Sequence, residues 1–367
     1  MSKRIFICQV IPKEKIENFQ VSQAGNNFCY SLIEGGIFDE TYSISPININ
    51  EKISFRKDCP VVFIQKRLFS IKILRWLNFF FDNIYLFYKI ILTKNKGANF
   101  WFYNLYTSNL ILFLLLKLSG FKIFVIVADF EPSKRFFTKD FFIRLAFRIV
   151  DGVISLNEGF KECYDKNIKI ISGVVKNAKP DAVKRRIDFS KTFLFSGALE
   201  DYAGIKIALE VFSQLPDANL LITGRGSLER EVQEYAKRYH NINYLGFLSY
   251  EEYLSRLEEV TFCLSLRNPN YPFNNYNFPS KIIEYFNKEK IVISTFKYEN
   301  FPSENLIICN YNVVDLIDKI TRLLLIPIGS LEEMQQKNKL SIQSMYSTHT
   351  WFKSIKEIEN YGRNCMV

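Results

Sequence analysis

Three segments of this 367-residue chain carry polar side chains at spacings suited to holding an anion. The richest runs Leu266-Arg-Asn-Pro-Asn-Tyr-Pro-Phe-Asn-Asn-Tyr-Asn-Phe-Pro-Ser-Lys-Ile-Ile-Glu-Tyr-Phe. Pro279 suits a first helical turn and Ser280 can cap one. Arg267 and Lys281 then both stand near a helix N-terminus, where a lysine opposes the macrodipole. A bound diphosphate would account for that lysine, and so would a neighbouring carboxylate. Glu284 lies one turn beyond Lys281 on the same helical face. It can accept hydrogen bonds from sugar hydroxyls, or simply pair with Lys281 at the surface. The second segment, Leu221-Ile-Thr-Gly-Arg-Gly-Ser, follows a strand pattern; Gly224 and Gly226 would let backbone approach a ligand, with Arg225 supplying charge. It lacks the third glycine of a dinucleotide fingerprint, and its strand does not open a domain. The third, Phe193-Leu-Phe-Ser-Gly-Ala-Leu-Glu, ends a strand at Ser196-Gly197, where backbone amides and a following helix favour anions.

These segments need a scaffold, and the rest of the sequence supplies one. Apolar residues make up 48% and charged residues 23%, which excludes disordered and collagen-like chains and leaves enough apolar surface for two cores. Seven scattered cysteines without a CxxC give no disulfide framework or zinc site, and a reducing compartment is expected. Two histidines, His240 and His349, argue against a Ser-His-Asp hydrolase or a histidine-rich metal site. A secretory signal is not expected before Pro12, because the apolar stretch Ile5–Val10 is too short. The longest uncharged run, Gly97–Leu116, is interrupted by Asn104, Thr107, Ser108 and Asn109. It reads as a buried strand, a turn and a helix rather than a membrane span.

Short apolar runs alternate with helical patterns throughout, as in parallel sheets covered by helices. Strands are expected at Ile5–Val10, Val61–Gln65, Asn99–Leu105, Lys122–Asp129, Gly152–Leu156 and Ile168–Ile171. A second set follows at Thr192–Ser196, Ala218–Thr223, Ile242–Leu245, Phe262–Leu266, Ile291–Ser294 and Asn305–Cys309. Ser249 with Glu252 and Ser330 with Glu333 have capping-box spacing. The fold class expected is α/β, with two doubly wound parallel-sheet (Rossmann-like) domains facing a cleft. The divisions are residues 1–178, a charged aperiodic linker 179–190, and 191–347. A tail helix at about 348–364 is expected to pack back on the first domain.

The order of the motifs carries a resemblance. Strand-Ser-Gly, Thr-Gly-Arg-Gly, Tyr244-Leu-Gly-Phe-Leu-Ser-Tyr, Arg-Asn-Pro and Phe-Pro-Ser-Lys-Ile-Ile-Glu-Tyr resemble the donor half of GT-B glycosyltransferases of family 4, in the Phe-Pro-Ser-Lys branch found in bacterial surface-polysaccharide synthesis. The likeness spans Thr192 to about Thr295. It implies a retaining enzyme moving a sugar from a nucleotide-diphosphate donor to a glycan or lipid-linked acceptor. Glu284 matches the glutamate that holds the ribose. Gly224, Arg225 and Gly226 fall beside the nucleotide, and Tyr244–Leu248, with Phe247, falls along the base. Tyr276 stands where the family has a second glutamate facing the sugar, next to Asn277 and Phe278. The family's Arg and Lys after the first strand fall at Ala198 and Ala203, so Arg267, Lys281 and Ser280, with Gly197, look like the replacement diphosphate grip. Gly25 and Asn26 match the N-terminal glycine loop near the donor. Asp129 and Glu131, after an apolar strand, are the candidate catalytic bases for an acceptor hydroxyl, or else helix N-terminal charges. No cofactor or metal is expected, since no Asp-x-Asp motif is present.

Charge is uneven: residues 1–190 sum to +12 and residues 191–367 to −2. Lys66–Phe81 mixes basic with large apolar residues and could lie on an anionic inner-leaflet surface or pack in a core. A cytoplasmic, peripherally membrane-associated protein is expected, with no nucleic-acid partner. Two other readings stand beside it: a GT-B sugar-nucleotide epimerase, and a basic nucleic-acid-binding protein that lacks the usual signatures.

Overall fold

The computed structural model describes residues 2–12, 23–44, 61–64, 71, 74–92, 97–128, 139–162, 164, 166–175, 191–276, 280–298, 301–302 and 305–361. The chain divides into two compact units. One holds Met1–Lys176, Tyr276–Phe278 and Thr348–Val367; the other holds Asn177–Asn275 and Pro279–Ser347. The expected linker 179–190 lies outside the described residues.

The first unit is built on seven parallel strands: β1 (Arg4–Cys8), β2 (Glu40–Ile44), β3 (Val61–Ile64), β4 (Asn99–Tyr103), β5 (Lys122–Val127), β6 (Gly152–Ser155) and β7 (Ile168–Ile170). Their order is β3-β2-β1-β4-β5-β6-β7, so the winding reverses between β1 and β4. Strands covered on both faces read as continuous apolar runs, and β1 and β4 are buried at every position. Strand β2 escapes that pattern. Its sequence Glu-Thr-Tyr-Ser-Ile reads as half-polar, yet Thr41 and Ser43 are buried. Ser43 compensates by donating its hydroxyl to the Val10 carbonyl at 2.7 Å.

Helices α1 (Gln23–Glu34), α2 (Arg75–Leu92), α3 (Leu110–Leu118) and α4 (Lys139–Phe147) connect the strands. The uncharged run 97–116 resolves into β4, a turn and α3. Leu86 and Ile90 of α2, Leu112, Phe113 and Leu116 of α3, and Ala146 and Phe147 of α4 share one core with the sheet. These three helices therefore form a single layer on one face. The segment Gly25-Asn26-Asn27, expected as a loop before a helix, lies inside α1 instead.

The second unit has six parallel strands: β8 (Thr192–Ala198), β9 (Asn219–Arg225), β10 (Ile242–Tyr244), β11 (Phe262–Ser265), β12 (Ile291–Ser294) and β13 (Leu306–Ile308). Their order is β10-β9-β8-β11-β12-β13, with the reversal between β8 and β11. Helices α5 (Ile205–Phe212), α6 (Glu229–Arg238), α7 (Tyr250–Glu259), α8 (Ser280–Asn287), α9 (Val313–Leu324) and α10 (Ile328–Tyr346) complete the unit. Residues of α5, α6 and α9 share one core with the strands, while α8 packs on β11, β12 and α10. The Ser249–Glu252 capping box is present and starts α7. The one expected at Ser330–Glu333 is not, because α10 already begins at Ile328 behind Pro327 and Ser330 sits within its first turn. Proline preset the earlier start, its fixed φ and missing N–H costing nothing there.

The last helix, α11 (Thr348–Asn360), belongs to the first unit. Its Glu359 accepts from Arg4 Nε at 3.0 Å, from Arg4 Nη2 at 2.8 Å and from Trp101 Nε1 at 3.0 Å, all of it buried. Trp351, fully buried, donates to the Gly173 carbonyl at 2.7 Å and meets Phe28 edge-on. Asn167 donates to the Ile358 carbonyl, and Lys169 pairs with Glu357.

Candidate functional site

In a doubly wound sheet, ligands collect at the carboxyl edge where the winding reverses. In the second unit that edge lies between β8 and β11, and the loops leaving both strands are zipped together. The Asn268 amide and Asn274 Nδ2 both donate to the Tyr202 carbonyl at 3.0 Å. Asn268 Nδ2 and the Tyr271 hydroxyl donate to Asp201 Oδ2 at 3.3 and 2.8 Å. Gly204, at φ +84°, lies so close to this loop that a Cβ would stand 1.5 Å from the Leu266 carbonyl oxygen. Only glycine permits that approach. The Asn- and Pro-rich composition of the stretch after Leu266 thus serves to anchor the loop to its neighbour.

Glu200 stands beside Asp201, between the two alanines Ala198 and Ala203. Its carboxylate accepts from the Ser227 hydroxyl and, at 2.7 Å, from the Ser227 amide, and these bonds hold it below the usual carboxylate range. A depressed folded-state value means stability present above the unfolded-state value and lost as pH falls through the folded one. We therefore expect acid to loosen the β8–α5 loop in the wild type, and Glu200→Gln to flatten the acid limb of a Tm-against-pH curve. Superimposable curves would show that the contact contributes nothing.

Two glycines behave differently from expectation. Gly224 has φ +144°, and a Cβ there would meet the Gly197 carbonyl oxygen at 1.8 Å; at Gly226 it would meet the Leu199 carbonyl at 2.4 Å. Both are glycine because the protein's own backbone comes close, so the expected approach to a ligand is not what requires them. Gly197, at φ +152°, faces open space, so room exists over the end of β8. Arg225 lies over the Phe247 ring at 4.3 Å, and Phe247 is 57% exposed, which makes a flat, charged and aromatic ledge beyond β9.

Across the switch point, Arg267 leaves β11 and contacts the Asn274 carbonyl at 3.4 Å. Its guanidinium is close enough to Tyr202 and Tyr298 to favour their ionised forms, although burial outweighs it and raises both phenols. At the start of α8, Lys281 Nζ stands 3.9 Å over the Tyr253 ring and 3.5 Å from Glu284. Glu284 also accepts from Tyr253 Oη at 2.7 Å and Tyr250 Oη at 3.3 Å. Burial first, then the Glu284 charge, pushes the Tyr250 phenol up, and the Tyr253 phenol rises for the same reasons with Tyr285 added. Both tyrosines therefore stay protonated donors across the physiological range. Glu284 is thus a held acceptor with Lys281 beside it, not merely half of a surface pair.

Tyr250 and Tyr253 were legible only indirectly. The capping box at Ser249 starts α7, and residues one and four of that helix share a face. Nothing local tells that this face meets α8.

Of the remaining expected site residues, Ser280 opens α8, and Tyr276 ends a short 3-10 turn, Pro272–Tyr276. Asn277, Phe278, Asp129 and Glu131 lie outside the described residues. The side chain of Asn26 accepts from the Ile11 amide at 2.9 Å and donates to the Ile11 carbonyl at 3.3 Å, so it ties the loop after β1 to α1. Gly25, beside it, lies in the first turn of α1. Among the described residues no group of three or more His, Cys, Asp or Glu is placed to hold a metal ion.

With that geometry in hand, residues 179–341 match a family model, Glycosyl transferases group 1. The match spans the whole β8–β11 switch region and α8. No curated protein matches the sequence. Solved structures with a similar fold include the N-terminal domain of Candida albicans trehalose-6-phosphate phosphatase, at 12% identity and TM-score 0.73, covering 99% of this chain and 97% of that one. TarM of S. aureus, solved with UDP and a GlcNAc-glycerol, is similar at 17% identity and TM-score 0.54 over 76% of this chain and 59% of its own. The UDP-GlcNAc 2-epimerase of Neisseria meningitidis is similar at 13% identity and TM-score 0.57, covering 97% and 99%. Such identities speak for a shared fold: two parallel-sheet Rossmann-like domains, the composition of the GT-B class.

Proposed function

We propose that the protein is a retaining, metal-independent glycosyltransferase. It takes a sugar from a nucleoside-diphosphate donor and passes it to a glycan or lipid-linked acceptor in surface-polysaccharide synthesis, at the cytoplasmic face of an anionic membrane. The observation that carries the donor half of this reading is Glu284, held by two tyrosine hydroxyls beside Lys281 at the N-terminus of α8, inside the segment matching the glycosyltransferase model. In this reading Glu284 accepts from the ribose hydroxyls, and Phe247 with Arg225 flanks the base.

The chemistry asked of the donor domain is leaving-group stabilisation. The bond between the anomeric carbon and the diphosphate oxygen breaks as the acceptor oxygen forms its bond to that carbon. The acceptor proton passes to a base, for which Asp129 or Glu131 is proposed, and the diphosphate departs with its negative charge increased. Arg267, Lys281, the hydroxyl of Ser280 and the amides around Gly197 would offset that charge, an effect worth roughly 2.7–4 kcal/mol for each well-placed donor. Tyr276, Asn277 and Phe278 would face the sugar.

The test is a thermal-shift panel with UDP, GDP and ADP, followed by sugar transfer from the nucleotide that binds. A ligand that binds only the folded state adds about 2.7 kcal/mol at a hundred times its Kd. We expect one diphosphate to raise Tm and the matching donor to be consumed only when an acceptor is present. Absence of any shift would sink the reading. The structural likeness to an epimerase makes a second outcome readable, namely conversion of the donor sugar without acceptor.

A further inference from the structure

We infer that the outward surface of the α2–α3–α4 layer in the first unit is a membrane-docking face for an anionic lipid bilayer. It deepens the membrane part of the reading above by naming the surface. It shares Phe81 with the segment Lys66–Phe81 suggested by sequence and extends over two further helices; residues 66–70, 72 and 73 of that segment lie outside the described residues.

A surface helix ordinarily turns an apolar stripe inward and polar residues outward. Helix α2 is apolar on both sides. Leu86 and Ile90 point into the core, while Phe81, Ile84, Tyr85, Tyr88 and Leu92 repeat along the opposite side and are exposed. Its one acidic residue, Asp82, is buried. Helix α3 presents Leu114 and Leu118 outward, the latter 85% exposed. Helix α4 presents Phe141, Phe142 and Leu145, continued by Ile149. Because α2, α3 and α4 lie side by side over one sheet face, these residues come to a common level. Isolated exposed apolar side chains need no explanation, but a contiguous set over three neighbouring helices marks an interaction surface.

The charge says which kind. Arg144 and Arg148, one turn apart, are exposed along the edge of the apolar stripe of α4. Against these basic residues α2, α3 and α4 hold two acidic ones, Asp140 in the first turn of α4 and the buried Asp82. The region to residue 190 carries +12. Aromatic and aliphatic residues flanked by arginines match an acyl-headgroup boundary with anionic lipids, where each basic residue adds attraction and the apolar side chains insert. No helix among the described residues is long and apolar enough to cross the membrane, so the contact is lateral.

The test is co-flotation of the whole protein with phosphatidylcholine vesicles, with and without phosphatidylglycerol, in the absence of nucleotide. We expect flotation with the anionic vesicles only, weakened by salt. The double variant Tyr88→Glu, Phe142→Glu should abolish it, and Arg144→Gln with Arg148→Gln should lower the partition constant by about fivefold per arginine. All four side chains are exposed, so Tm should hold. Should the glutamate variant fail to fold, the arginine variant alone decides. Wild-type protein that stays unbound, or variants that float equally well, would overturn the inference. So would a concentration-dependent dimer, dissolved by the same substitutions, in a protein that ignores lipid. A thermal shift with the nucleoside diphosphate, measured on the same samples, keeps a failure of docking distinct from a failure of the donor assignment.

Discussion

Alanine at Glu284 lowers donor-dependent sugar transfer by about 100-fold, and alanine at Lys281 or Arg267 lowers it by about 100- to 1,000-fold, with the fold intact. The first figure follows from losing hydrogen bonds to a charged acceptor, roughly 1.5–3 kcal/mol. The second follows from removing a donor that meets charge developing on the leaving diphosphate. The two kinds of loss should differ in form. If Glu284 grips the ribose in ground and transition states alike, its removal raises KM more than it lowers kcat. The cations act mainly on the departing diphosphate, so kcat should carry their effect. Tyr253→Phe provides the graded case: it removes the 2.7 Å bond to Glu284 but keeps the ring beneath Lys281. A loss of about tenfold is expected from one such bond to a charged acceptor. Steady-state kinetics on the four variants check this, and near-normal turnover in both Glu284→Ala and Lys281→Ala would dismiss the roles given to them.

Alanine at Glu359 destabilises the first unit by about 3–5 kcal/mol, because it strands the Arg4 guanidinium and the Trp101 indole N–H without their acceptor. Arg4 and Glu359 side chains are only 7% and 9% exposed, so water cannot readily replace the carboxylate. The pair as a whole need not add stability over an apolar substitute. Replacing both, as Arg4→Met with Glu359→Leu, should therefore recover much of the loss in urea denaturation. A Glu359→Ala protein as stable as wild type would show that the last helix does not lock the start of β1.

Local pattern made much of the scaffold readable. The strands β4, β5, β8, β11 and β12 are continuous apolar runs because helices cover them on both faces, and that burial writes itself directly into composition. Strand β2 was missed because its buried Thr41 and Ser43 are balanced by tertiary hydrogen bonds that no window of sequence contains. Helix α2 was only half seen, since its exposed side carries large apolar residues as its core side does and composition does not say which of the two faces inward.

The candidate site divides along the same line. Residue type and spacing alone determined that Lys281 and Glu284 share one face of a helix opening at Ser280, with Arg267 just past the strand before it, because helical period and capping are local physics. They also determined the alternation of strands and helices that makes a parallel sheet. The tertiary structure decided which partners those side chains have: Tyr250 and Tyr253 reach Glu284 from 34 and 31 residues away, and Asn26 turns out to serve Ile11. It also decided that Gly224 and Gly226 yield to neighbouring backbone, and that Glu359 closes on Arg4 across 355 residues. Such contacts depend on how elements distant in sequence pack, and a side chain's chemistry does not name the group it will meet.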